Sequence, residues 1–406
     1  MFFHRKRPDQ GTPDPTATEP TNTEPTNTAP AATAAGTSSV TSGKATAAPG
    51  TSAVPGSTAA DPLHPYLPDG TFRSPALLEV DDLHVEFRTR DGVAKVLNGV
   101  SYDVRSGETL AVLGESGSGK SVTAQTVMGI LDQPPGAITG GQVRFKGEDL
   151  LAMTDEQRRL IRGEGIAMVF QDALSALNPV FSVGFQIAEQ FRVRRGMSRK
   201  DATARAVELL DQVKIPNAKG RVKEYPHQFS GGMRQRVMIA MSLALDPELL
   251  IADEPTTALD VTVQAQIMDL LKEIQAERQM GLILITHDLG VVADVADKIA
   301  VMYAGRIVEQ AEVHDLYANP CHPYTVSLLE SIPRVDLKGQ KLRSIAGLPP
   351  NLMHVPPGCA FHPRCPMAQD VCTRQVPPLI TLGEVRSSAC LFADDLYQGK
   401  DVVHHG

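Results

Sequence analysis

No run of 18 or more apolar residues occurs anywhere in the 406-residue chain, so nothing in it is expected to cross a bilayer as a helix. The start, Met1 to Pro8, carries basic residues with no apolar stretch behind them, and is not read as a secretory signal. The chain is therefore expected to be made and kept in the cytosol. Excess positive charge is also lacking. Lys and Arg number 39 against 47 Asp and Glu, a formal charge of −8, which argues against a nucleic-acid partner held by a broad basic surface. Cysteine is scarce, with five residues. In a cytosolic chain these are expected to be ligands or bystanders rather than disulfides.

Residues 11–60 contain no Leu, Ile, Met, Phe, Tyr or Trp, and Glu19 to Thr28 is a near-repeat of Glu-Pro-Thr-Asn-Thr. Such a stretch cannot bury enough apolar area to offset its ordering entropy. Residues 1–72 read as a disordered tail. Order is expected from near Pro75. Ala76 to Phe87 is strand-like, broken by Asp81-Asp82, and Asp91-Gly92 turns into a second strand-like run, Val93 to Leu97. Short apolar strands at Thr109 to Leu113, Leu249 to Ala252 and Leu282 to Thr286 alternate with helical patterns. This predicts an α/β fold with a mostly parallel, helix-covered sheet and an antiparallel start. A helical insertion, residues 172–245, is expected between the first two buried core strands. Residues 336–395 are rich in proline, hold four of the five cysteines and read as a small appended domain.

Chemistry enters at Gly114-Glu115-Ser116-Gly117-Ser118-Gly119-Lys120-Ser121. This matches the phosphate-binding G-x-x-x-x-G-K-[ST], between a buried strand and a helix that continues at Val122. Its glycines let successive N–H groups face phosphate oxygens, and the helix N-terminus adds its positive end. Lys120 is expected to reach the β and γ phosphates of ATP, and Ser121 to ligate Mg²⁺. The Leu249 to Ala252 strand ends in Asp253-Glu254. There Asp253 is placed to hold Mg²⁺, and Glu254 to orient the attacking water and take its proton.

Phe229-Ser230-Gly231-Gly232-Met233 resembles the ABC signature, with Phe229 and Met233 in place of the usual Leu and Gln. The resemblance implies a P-loop ABC nucleotide-binding domain over residues 76–335, with RecA-like core, antiparallel β subdomain and helical signature subdomain. It further implies that Ser230, Gly231 and Gly232 bind the γ-phosphate held by a second ABC ATPase subunit. Gln171 looks like the Q-loop glutamine that senses Mg²⁺, Asp260 the D-loop aspartate and His287 the switch histidine. Phe87 is the candidate for stacking on adenine, with core packing as the competing reading.

Within the ABC ATPases, residues 171–179, Asn319 to Thr325 and Gly347 to Pro350 resemble segments of the oligopeptide/dipeptide importer subunits. In residues 171–179, Ala173 stands where Pro is usual. The resemblance implies a subunit on the cytosolic face of two transmembrane permeases, fed by an extracytoplasmic substrate-binding protein. It implies pairing with a second ATPase, preferably a different one. Related subunits serve nickel, glutathione and murein peptides, so the substrate stays open. Cys359, Cys365, Cys372 and Cys390 fit either an iron–sulfur cluster or tetrahedral zinc. By resemblance the [4Fe–4S] cluster leads, with zinc or free thiols as alternatives. Cys321 lies outside the set, and His362 is taken as a surface residue. A soluble ABC ATPase acting on nucleic acid, and an iron–sulfur sensor, are the readings from other classes.

Overall fold

A computed structural model of the chain describes residues 75–331, 345–383 and 385–399. The Thr/Ala/Pro-rich tail lies outside the described residues. Among the described residues twelve strands follow one another: β1 (Leu78–Thr89), β2 (Gly92–Val104), β3 (Thr109–Leu113), β4 (Gly136–Phe145), β5 (Glu148–Asp149), β6 (Ile166–Val169), β7 (Leu249–Asp253), β8 (Gly281–Thr286), β9 (Lys298–Tyr303), β10 (Arg306–Glu312), β11 (Ile380–Thr381) and β12 (Ser387–Ser388). They form an antiparallel sheet in the order β2-β1-β4-β5 and a larger one in the order β11-β12-β10-β9-β3-β8-β7-β6.

The expected antiparallel start is present. Asp81-Asp82 does not break β1. Asp82 sits at φ 46° within a register shift between Val80 and Leu83, so the pair forms a bulge in one twelve-residue strand. In the larger sheet β3, β7 and β8 are buried along their whole length and pair in parallel, as short continuous apolar runs require. Their alternate side chains enter two different cores. Leu110, Val112, Ile251, Ile283 and Ile285 pack with Leu78, Val80 and Val100 of the antiparallel sheet. Leu113, Leu250, Leu282 and Leu284 pack with Ile187, Leu210 and Ile239 of the helical region. The parallel sheet is thus the shared wall of two cores.

The sequence reading missed β4, β6, β9 and β10. The insertion therefore lies between β6 and β7, rather than directly between the first two core strands. Its helices start at side-chain caps. Ser182, Ser198 and Ser230 each accept a hydrogen bond from an N–H three residues on. In the Val183–Arg195 helix, Val183, Ile187 and Phe191 are buried at intervals of four, which turns one stripe inward.

The cysteine-bearing region shares the main sheet. Ser388 and Ser387 of β12 pair with Glu309 and Gln310 of β10. Glu309 is fully buried and accepts from the backbone N–H groups of Cys321 (2.6 Å) and His322 (3.0 Å). Its cation is Arg386, itself 8% exposed, at 3.4 Å. Burial pushes the Glu309 carboxyl above its usual range, while these hydrogen bonds and Arg386 pull it down. One carboxylate thus clasps the turn before the Pro323–Glu330 helix to the C-terminal strands. Glu309→Ala leaves a buried guanidinium unpaired, and an unfolding free energy lower by about 3–5 kcal/mol is expected. Urea denaturation checks this, and a loss under ~1 kcal/mol would contradict the clasp.

Candidate nucleotide site

The phosphate loop leaves the end of β3 and is pressed against neighbouring backbone. At Gly114 (φ 151°) an added Cβ would lie 2.2 Å from the Met302 carbonyl oxygen of β9. At Gly119 (φ 106°), which caps the Lys120–Met128 helix, it would meet Val96 O and the Leu97 side chain at 2.8 Å each. Both positions admit only glycine, because the loop is wedged between β2 and β9. Ser116 and Gly117 are exposed at its rim, whereas Ser118 is buried and its hydroxyl has no hydrogen-bond partner among the described residues. Val122 packs on the core shared with the antiparallel sheet.

Lys120 is 5% exposed. Its Nζ donates to the carbonyl oxygens of Gly114 (2.7 Å) and Glu115 (3.0 Å). Burial draws its pKa down, and the carboxylates of Glu254, Asp253 and Glu115 oppose that. Ser121 Oγ donates to Asp253 Oδ1 at 3.0 Å, bringing together the two residues expected to hold Mg²⁺. Burial raises the Asp253 carboxyl, the Ser121 hydrogen bond and Lys120 lower it, and Glu254 raises it further.

Glu254 follows β7 in the left-handed region, at φ 46°, an uncommon conformation for glutamate. Its N–H is bound to Ile285 O at 2.8 Å, which fixes the turn against β8. Its carboxylate accepts from Gln171 Nε2 (2.9 Å) and Thr257 Oγ1 (2.8 Å), and His287 Nδ1 stands 3.5 Å away. Gln171 comes from the end of β6 and His287 from the end of β8, so three strand ends converge on one carboxylate. Thr257 was not anticipated. It lies three residues beyond Glu254, and its only signal was that proximity.

Ser230 caps the Gly231–Ser242 helix and Asp260 caps the Val261–Arg278 helix, each accepting an N–H with its side chain. The two caps abut. A Cβ on Gly232 would lie 2.4 Å from Val263, and one on Gly231 would lie 3.5 Å from Leu259. The two departures from the signature are accommodated locally. Phe229 is buried under the Arg221 guanidinium, 5.6 Å from the ring centre, and Met233 sulfur accepts from Arg221 at 3.6 Å. Phe87 sits in β1 opposite Ala94 and Gly136, partly buried against the core. Phe170, just before Gln171, and Val180 and Phe181 beyond it are exposed, with Phe181 stacked on Phe185 at 4.8 Å.

The four cysteines of the C-terminal region line one recess, with Phe361 and Phe392 among its walls. All are free thiols. Burial pushes Cys365 up to about 11 and Cys390 up to about 12. Among the described residues no group of three or more His, Cys, Asp or Glu is already drawn together for a metal ion. The donor set suits a thiolate-held group, but its sulfurs are not preassembled around one. Cys321 is outside the recess. His362 is not simply on the surface: it is half-buried, lines the recess and contacts Cys359 O at 2.8 Å.

Two family models match the chain: "ABC transporter" over residues 97–257 and "Oligopeptide/dipeptide transporter, C-terminal region" over residues 308–372. The chain is 49% identical over 318 residues to the dipeptide transport ATP-binding protein DppD of Bacillus subtilis, covering 78% of this chain and 95% of that protein. It is 50% identical over 314 residues to the oligopeptide transport ATP-binding protein OppD of Salmonella typhimurium, covering 77% and 93%. Among solved structures, it resembles the ATP-binding cassette MJ0796 in a dimeric post-hydrolysis state bound to ADP and Pi. That likeness has a TM-score of 0.52 at 28% identity, covering 58% of this chain and 98% of the cassette. With a phosphate loop, a paired-acid strand and a capped signature helix in one sheet-and-helix frame, the chain belongs to the ABC transporter ATP-binding subunits, in the oligopeptide/dipeptide transport family.

Proposed function

We propose that the chain energises a peptide importer by binding and hydrolysing ATP at a site it shares with a second ABC ATPase. The carrying observation is the Glu254 carboxylate, held by Gln171, Thr257 and His287 beside the Ser121–Asp253 pair. Mg²⁺, when bound, would neutralise developing charge on the phosphates, with Ser121, Gln171 and Asp253 the residues to hold it. Lys120 turns from its own loop carbonyls to the β and γ phosphates. The glycines of the loop present N–H groups to the same oxygens, and the Phe87 ring takes the adenine. Glu254 orients the attacking water and accepts its proton, and His287 contacts the γ-phosphate. Ser230, Gly231 and Gly232 serve the ATP bound by the partner, and Asp260 stands near that junction. One chain thereby supplies two half-sites.

The exposed Phe170, Val180 and Phe181 on either side of Gln171 suit the seat of a permease segment. The chain docks on the cytosolic face of two transmembrane permeases, and an extracytoplasmic binding protein completes the complex. The second ATPase is a different subunit. The thiol recess holds a [4Fe–4S] cluster as a structural clamp. Its four thiols on one recess support this, although they are not preassembled. No nucleic acid takes part.

Glu254→Gln is expected to lower ATP turnover by about 10²–10⁴-fold while nucleotide binding persists. Steady-state ATPase assays with a nucleotide-binding titration check it, and turnover above a tenth of the unmodified rate would contradict the general-base role. Val180→Ala with Phe181→Ala is expected to abolish peptide uptake in reconstituted vesicles while ATP turnover stays within about twofold; full uptake would contradict the docking role. Anaerobically purified protein is expected to yield four iron and four sulfide per chain, lost on Cys365→Ser. Zinc at one per chain, or no metal, would overturn the cluster.

A further inference from the structure

Glu115 puts a carboxylate in the loop that is proposed to receive the phosphates of ATP. An anion there opposes the binding of another anion unless its charge is compensated and its direction fixed. Both are done by a residue 249 positions away in sequence. Arg364 makes a two-pronged ion pair with Glu115, Nη1 to Oε2 at 2.6 Å and Nη2 to Oε1 at 2.8 Å. The Arg364 side chain is 5% exposed and Glu115 25%. Two of the three remaining guanidinium N–H donors are also used. Nε donates to Ala346 O at 3.0 Å and Nη1 also to Tyr303 O–H at 3.3 Å, while the Tyr303 ring lies 5.8 Å from the guanidinium carbon.

Arg364 is itself held by the cysteine-bearing turn. His362 N–H binds Cys359 O (3.0 Å), Arg364 N–H binds Phe361 O (2.9 Å) and Cys365 N–H binds His362 O (3.3 Å). Phe361, 1% exposed, anchors the turn edge-on to Tyr303 and Tyr324, with ring centres 5.3 Å away in each case. Tyr324 reaches the same loop residue from the other side, its hydroxyl oxygen accepting from the Glu115 N–H at 2.9 Å. Glu115 is thus fixed at its backbone and its carboxylate, and its carbonyl in turn receives Lys120 Nζ.

We propose that Arg364 is a positioning residue for the phosphate loop. It neutralises Glu115 and turns its carboxylate away from the phosphates, so that the Cys359–Cys365 turn sets nucleotide affinity. The inference rests on the nucleotide role proposed for the Lys120 loop, not on what the thiols hold. Nothing in it requires Arg364 to touch nucleotide.

The test is calorimetric titration of Mg-ADP into the full-length chain, which probes one loop without requiring a second ATPase. Failure of the unmodified chain to bind Mg-ADP would refute the nucleotide reading itself. With that binding in hand, Arg364→Gln leaves Glu115 uncompensated, and the dissociation constant is expected to rise about tenfold. Adding Glu115→Gln to that variant removes the stranded charge and is expected to recover part of the loss. A merely structural Arg364 predicts the opposite, with the double variant no better than R364Q. An R364Q affinity within twofold of the unmodified chain, or a double variant binding no more tightly than R364Q, overturns the proposal. Should R364Q not fold, Arg364→Lys decides. It keeps the charge but loses the fork, so a loss of roughly threefold supports the proposal and unchanged affinity overturns it.

Discussion

A buried ammonium organises this molecule's chemistry. Lys120 is almost wholly removed from water, and its ammonium donates to two carbonyl oxygens of its own loop. A desolvated cation is costly unless strongly paired. Burial depresses its pKa, and the carboxylates of Asp253 and Glu254 work against that. Their own charges sit close together, with Asp253 pushed up by burial. The site as folded holds charges that partly compensate one another. A polyanion with a divalent cation completes that compensation, which is the physical content of a Mg-ATP site.

The scaffold serves that arrangement through close backbone approaches. Met302 of β9 leaves no room for a Cβ at Gly114, and β2 with Met302 leaves none at Gly119. The loop takes its shape from the sheet order, in which β9 and β8 flank β3. The same order sets the ends of β6, β7 and β8 side by side, so Gln171, Glu254 and His287 meet although they are far apart in sequence. The C-terminal region continues this sheet through β12 and is held by the buried Glu309. It is therefore built into the same sheet rather than standing beside it.

Much of this could be read from residue order alone, for definite reasons. The phosphate loop, the acid pair and the signature each place an uncommon residue set over a few positions, where local geometry decides the chemistry. The strands β3, β7 and β8 are continuous apolar runs and stood out. The strand β4 did not, because its Gly-rich Thr139-Gly140-Gly141 stretch reads as a turn. Nor did β6, which has only four residues and precedes the helical insertion. Asp81-Asp82 looked like a break because a bulge and a strand end share the same polar residues. What sequence could not provide is long-range pairing. Arg364 with Glu115 and Tyr324 with the same loop have no spacing that announces them, and the convergence of four cysteines on one recess follows from the tertiary course of the chain.

The central claim is that the chain holds two halves of two different ATP sites, with Lys120 on one and Ser230 on the other. The most direct measurement is ATP turnover per chain across a dilution series, alone and with a second cassette added. The account predicts turnover that falls on dilution and is restored by the added cassette. Turnover per chain that stays constant down to the lowest concentration, indifferent to any second cassette, would contradict it.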